Sequence, residues 1–440
     1  SRFLALALEA EENIHGPEQL AWFDRIDVEL ANLRAAFEGC LTVQEVESAI
    51  CIAAALGLYW RARGRFTEGR DWLERALASK AAAPATLRAK ALAWASYLAI
   101  YQGAYAQAQI FGEESLNLYT AAGDAWGTGF ALQTLGAVAL NQDDYAYAIR
   151  LEQESLHHLR QTKDTAGIGL SYLYLGVAAL RKGEYTSAIG MLEQALVSFR
   201  DAGDQRRVSI ALRLMGEVEL CQGHYTPATT LLGESLELVR QAKDRVDVGL
   251  TLYLLGQAAR AAADYTRATE LFEESLALAR EFNDPLSAGL ALCELAIVAR
   301  HEGDLNKATS LVRDSLAVLD HREKFGIAAC LQEMAMILTD RGATEKATVF
   351  FAVAHRIRDD LGAPLPPFEL DQYQTALQRA QASLDEDEFK RLTEEGQGMA
   401  ITDALALLSE AAVGDPAVSR VAVETATRSA GVSGRPNEVG

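Results

Sequence analysis

The sequence predicts an all-α protein, a right-handed solenoid of about eight stacked helical hairpins with extra helices at both ends. Three observations predict it. Tyr105, Tyr145, Tyr185, Tyr225 and Tyr265 recur every 40 residues, and Leu305 continues the series. Small residues keep the same register: Ser96, Gly136, Gly176, Gly216, Gly256 and Ala296 precede each of these positions by nine residues. Ala108, Ala148, Ala188, Ala228, Ala268 and Ala308 follow them by three. Finally, half of the residues are hydrophobic, proline is scarce and no useful length of strand-like alternation occurs. A fixed period of this size marks stacked repeats, in which each unit buries its apolar face against its neighbours.

Within one unit, apolar residues recur at helical spacing from Asp124 to Asn141 and again from Tyr145 to Leu159. Two helices of roughly 16 to 18 residues with short turns fill such a period. The turns hold Asp143-Asp144, Gly183-Glu184, Gly223-His224 and Gly303-Asp304. Small residues in the Gly136 and Ala148 columns let paired backbones approach, and the Tyr145 column fills the space beside them. Asp124, Asp164, Asp204, Asp244 and Asp284 stand where a helix-start residue accepts hydrogen bonds from unpaired N–H groups. Pro285 suits the first helical position.

Along the chain, residues 1–50 are helical but out of register, as a solenoid's capping end must be. The array spans residues 51–361, clearest from Asp124 to Asp284 and weakest in its last unit, where Ala335, Gly342, Thr344 and Ala347 keep the pattern. Pro364, Pro366 and Pro367 interrupt it. Residues 362–412 then read as a C-terminal helical cap, and 413–440 as a flexible tail without aromatics.

The formal net charge of -20 disfavours nonspecific attraction to nucleic acid or an anionic membrane. Five scattered cysteines read as small buried hydrophobes in a reducing compartment. No apolar run reaches the ~18 residues of a membrane span, and no secretory signal opens the chain. A cytoplasmic fragment of a longer protein is expected.

At Leu135-Gly136, Tyr145, Ala148, Ser155 and their copies the pattern resembles the tetratricopeptide repeat, lengthened from that family's usual unit and lacking its closing proline. A second resemblance joins the two ends. Trp22, Arg25, Glu29, Asn32 to Ala36, Tyr59 to Gly64 and Glu68 to Leu77 are similar to a segment of large bacterial regulators. Glu395-Gly396, Met399 and Ala404 to Ala406 resemble the element closing the same region. The family is the LuxR-type and AfsR-type signal-transduction ATPases. The resemblance implies a region that receives a signal or partner, with ATPase and DNA-binding modules outside this chain.

No chemistry-bearing motif accompanies the repeats. The chain has no G-x-x-x-x-G-K-[ST] phosphate loop, no H-E-x-x-H helix, no paired-cysteine zinc motif and no helix-turn-helix segment. Gly127-Thr128-Gly129 reads as helix packing, and His157-His158 as a partly exposed pair on an outer helix. The aspartate column reads as helix caps rather than a metal ladder, since successive layers stand too far apart to share one ion. The Glu114, Glu154, Glu234, Glu274 and Asp314 column reads as a solvated outer face. No catalytic residue, metal or cofactor is expected.

What remains is the concave groove. In tetratricopeptide arrays the first helix of each pair lines it. That resemblance places Tyr97, Tyr101, Gln133, Asn141, Arg181, Arg213, Glu217, Tyr253, Gln257, Arg260, Arg300, His301 and Gln332 inward. This set is more basic and aromatic than the chain around it. It is suited to an anionic peptide, protein segment or small-molecule effector, because arginine forks pair with carboxylates and phosphates. The lysine-and-asparagine clamp of chaperone-binding members is not reproduced. The expected function is non-catalytic sensing or partner binding within a bacterial transcriptional regulator; the alternative is a general assembly scaffold without signal input.

Overall fold

A computed structural model describes residues 2–14, 18–79, 83–242, 244–319 and 323–413. Among these, every regular element is a helix. Helices α1 (Arg2–Asn13) and α2 (Gln19–Thr42) pack on the first hairpin. Its leading helix is divided into α3 (Val46–Ala55) and α4 (Gly57–Ala62), and it returns through α5 (Phe66–Leu77). Seven further hairpins follow: α6 (Ala85–Ile100) with α7 (Tyr105–Ala122), α8 (Ala125–Asn141) with α9 (Tyr145–Leu159), and α10 (Thr165–Arg181) with α11 (Tyr185–Asp201). Then come α12 (Gln205–Cys221) with α13 (Tyr225–Gln241), α14 (Arg245–Ala261) with α15 (Tyr265–Glu281), α16 (Pro285–His301) with α17 (Leu305–Val318), and α18 (Lys324–Asp340) with α19 (Thr344–Leu361). The chain ends in α20 (Pro367–Ala382), α21 (Glu386–Gly398) and α22 (Ile401–Val413). Each helix packs mainly on its hairpin partner and on the next hairpin, so this is an α-solenoid of eight hairpins.

The first hairpin begins at Val46, so residues 46–50, read from sequence as the end of the N-terminal cap, belong to it. Helix α3 breaks at Leu56. Gly57 follows the break, and a Cβ there would collide with the Trp94 indole. The expected tail, apart from Val413 at the end of α22, lies outside the described residues.

The local chemistry follows the repeat. Asp124, Asp164, Asp204, Asp244 and Asp284 each accept a hydrogen bond from the backbone N–H three residues on, capping α8, α10, α12, α14 and α16. A Cβ on Gly176 or Gly216 would stand 2.8 or 2.7 Å from the side chain of Leu192 or Leu232, so glycine is what permits that approach. Gly127 and Gly129 lie in the same way against Tyr119 and Leu159, in keeping with a packing role. Glu114, Glu154, Glu234, Glu274 and Asp314 are exposed on the outer face. All five cysteines are free, and Cys40, Cys293 and Cys330 are buried.

Candidate functional site: the inner channel

The stack curls until its first and sixth hairpins meet. The Arg61 guanidinium on α4 lies 3.9 Å from both Asp244 and Asp247 at the start of α14. Arg206 on α12 completes the cluster, reaching Asp244 at 2.8 Å and Asp247 at 3.2 Å. Burial and the neighbouring Asp247 push the Asp244 carboxyl up to about 7. Arg61 also donates to the Tyr101 hydroxyl at 3.1 Å, and the Tyr97 and Tyr101 rings meet edge-on at 5.6 Å. Tyr97, Tyr101 and Arg213, expected in the groove, are occupied by other side chains at this closure. Arg213 reaches Asp247 at 3.9 Å, and Tyr101 stacks on Phe66.

Beyond this closure a cavity of about 410 Å³ runs along the inner face from the second hairpin to the eighth. Of the residues that the resemblance placed in the groove, Asn141, Arg181, Glu217, Tyr253, Gln257 and Gln332 line it. Leu254, Leu286, Leu290 and Ile297 supply an apolar wall. Arg300 and His301 instead border a smaller hollow beside α20, where His301 stacks on Tyr265 at 5.2 Å. Burial, with Arg300 close by, lowers the His301 imidazole below its ordinary value.

Gln133 is no groove residue. It is 3% exposed and donates to the Gly167 carbonyl at 2.6 Å and the Ser171 hydroxyl at 2.9 Å, tying α8 to α10. Arg260 also lines neither hollow; its side chain is 4% exposed.

The expected basic character is the main correction. Arg181 pairs with Glu217 at 2.7 Å, Arg260 with Glu294 at 2.8 Å and Arg300 with Glu333 at 2.7 Å. In each case the carboxylate stands on the next leading helix, so these arginines are neutralised by glutamates. The signal was present: an acidic residue stands 33 to 36 positions after each arginine. Columns read one at a time hide such diagonal pairs. Burial pushes the Glu333 carboxyl up to about 7 despite its arginine partner.

The segment after α19, expected as part of a terminal cap, also enters the channel. Ala363, Pro364, Pro366, Phe368 and Glu369 line it. The Arg260 guanidinium stands 5.7 Å above the Phe368 ring, and Glu369 lies 3.6 Å from Arg260. Sequence reasoning missed Glu294, Glu333, Phe368 and Glu369, and also Arg358 on α19, another residue of the lining. Among the described residues no group of three or more His, Cys, Asp or Glu could hold a metal ion, and no helix is long and apolar enough to cross a membrane.

Stacked hairpins around a lined inner channel define a helical-repeat protein of the protein-interaction kind. More particularly, the chain carries tetratricopeptide repeats: residues 167–241 and 207–281 match the family model of that description. No curated protein sequence matches. Among solved structures, a Rap protein complexed with competence and sporulation factor is similar at 15% identity and a TM-score of 0.54, over 80% of this chain and 99% of that one. The apo quorum sensor NprR from B. thuringiensis is similar at 16% identity and a TM-score of 0.51, over 79% and 98%. At these identities the likeness concerns the fold.

Proposed function

We propose that this chain is a non-catalytic sensor region that binds an effector in its inner channel, as part of a bacterial transcriptional regulator of the LuxR or AfsR type. The observation that carries the reading is the channel itself. Its volume lies in the range of small-molecule and peptide-side-chain sites, and its walls combine apolar surface with a few placed polar groups. The two structures of similar fold fit this reading, one being complexed with competence and sporulation factor and the other a quorum sensor. Occupancy acts by changing how tightly the stack curls, which an attached module senses. ATPase and DNA-binding modules stand outside this chain, which acts in the cytoplasm and contacts neither nucleic acid nor membrane.

Asn141, Arg181, Glu217, Tyr253, Gln257 and Gln332 are the proposed contact residues. Removing Arg213, Arg260 and Arg300 together is a poor test, because it takes the paired arginines from the buried carboxylates of Glu294 and Glu333. Asn141 is exposed at the channel wall, so Asn141→Trp narrows the channel without touching the packing. In a native mass spectrometry screen of peptides and metabolites, bound species should be retained by the wild type and lost by Asn141→Trp. Equal retention by both proteins would overturn the channel as the site and favour a scaffold that binds through its outer faces.

A further inference from the structure

Arg358 breaks a column that is otherwise apolar or aromatic. Aligned on the left-handed glycines that end α7 and α19, Gly123 and Gly362, its counterparts are Tyr119, Leu159, Phe199, Val239, Ala279 and Leu319. In the earlier hairpins this residue packs against leading helices: a Cβ on Gly127 of the following hairpin would collide with Tyr119, and one on Gly129 or Gly169 of the same hairpin would collide with Leu159 or Phe199. After α19 no further hairpin follows; α21 and α20 pack on α19 instead, and the segment from Ala363 to Glu369 contributes to the channel lining.

The Arg358 residue is 6% exposed, and its Nε and Nη1 have no hydrogen-bond partner. Its guanidinium stands 5.5 Å from the centre of the Phe325 ring, a second residue of the lining. Arg260 and Arg300 in the neighbouring hairpins each meet a carboxylate within 2.8 Å. Arginine does not shed its proton in a protein. Glu369 is the acid that most offsets the charge of Arg358, but it also lies 3.6 Å from Arg260 and accepts from neither Nε nor Nη1 of Arg358, which leaves those donors open to an anion. Leu286, Leu290, Ile297, Ala329 and Pro364 supply the apolar part of the lining, beside the carboxylates of Glu294, Glu333 and Glu369.

We propose that Arg358 anchors a subsite for an organic carboxylate with an apolar body, the carboxylate accepting from an unpartnered guanidinium N–H and the body lying along Leu286, Leu290, Ile297 and Phe325. This rests on the reading of the channel as an effector site and names the chemistry that it selects. A free small acid and the C-terminal carboxylate of an apolar peptide share that chemistry.

The experiment uses the whole chain and follows thermal unfolding and calorimetric titration with octanoate, octanol, acetate, and an apolar peptide in free-acid and C-terminal amide forms. Octanoate should bind saturably and raise the melting temperature, whereas octanol, lacking the charge, and acetate, lacking the body, should do neither at equal concentration. The free-acid peptide binding better than its amide would identify a chain terminus as the source; octanoate alone would identify a small acid. Arg358→Met should weaken octanoate by about tenfold or more, the worth of a charge-assisted hydrogen bond, and should melt higher than wild type without ligand. Arg358→Lys keeps the charge without the fork and should fall between the two. Octanoate and the free-acid peptide both failing to bind wild type would overturn the subsite, as would octanoate binding Arg358→Met unchanged. A different compound that binds wild type and is blocked by Asn141→Trp would then leave the channel reading standing alone.

Discussion

At Glu152 a carboxyl group occupies the place that Leu192, Leu232, Phe272 and Val312 take in the following hairpins. It faces Gly136 across the hairpin, is fully buried, and neither oxygen has a hydrogen-bond partner. Burial raises it well above its ordinary value of 4.5. The Ser171 hydroxyl opposes the shift, yet its own hydrogen bond runs to Ser155 at 3.0 Å. The folded protein therefore holds this proton more tightly than the unfolded chain does. Its contribution is unpenalised at pH below the ordinary glutamate range and turns destabilising as pH rises through it. Glu152→Leu should melt higher than wild type at pH 8 and much closer to it at pH 4.5. A gap that is constant between those pH values would show that Glu152 does not titrate on unfolding. The break in the column was legible in the sequence; the missing partner was not, since it depends on where Ser171, Ser155 and Gln133 spend their own hydrogen bonds.

Between the helices of a hairpin one bond recurs. Ser115, Ser155, Ser235, Ser275 and Ser315 each donate from the returning helix to a carbonyl 26 residues earlier, on Ala89, Gly129, Ser209, Gly249 and Gly289, at 2.6 to 3.0 Å. The fourth hairpin has Ala195 at this place, opposite Gly169. Ala195→Ser should therefore add a bond and stabilise by about 0.5–1.5 kcal/mol, and Ser235→Ala should cost a similar amount. Chemical denaturation of both variants checks this; a destabilised Ala195→Ser would show that the fourth hairpin packs out of register with the others. The serine column and the aspartate caps were both visible as periodicities. The caps could be assigned a role from local rules, because the acceptor and its N–H lie three residues apart. The serines could not, because their acceptors lie on another helix.

Over the whole molecule, curvature is set by contacts that no single repeat contains. Arg61 joins the first hairpin to the sixth through Asp244 and Asp247, and Phe282 lies beside Gly64. Arg61→Glu places a third acid in that cluster and should push the two hairpins apart. Small-angle scattering should then give a larger radius of gyration with unchanged helical circular dichroism. An unchanged radius would mean that stacking between neighbours alone holds the curl. The sequence by itself determined the helices, their caps, the hairpin order and which helix of each pair faces inward. These follow from the period and from interactions spanning a few residues or one repeat. Only the tertiary structure decided that the inward arginines are mostly neutralised, that Pro364 to Glu369 enter the channel, and that Arg358 lines it with its Nε and Nη1 unpartnered. Those outcomes depend on how small rotations between successive hairpins add up, bringing residues more than a hundred positions apart within reach of one another.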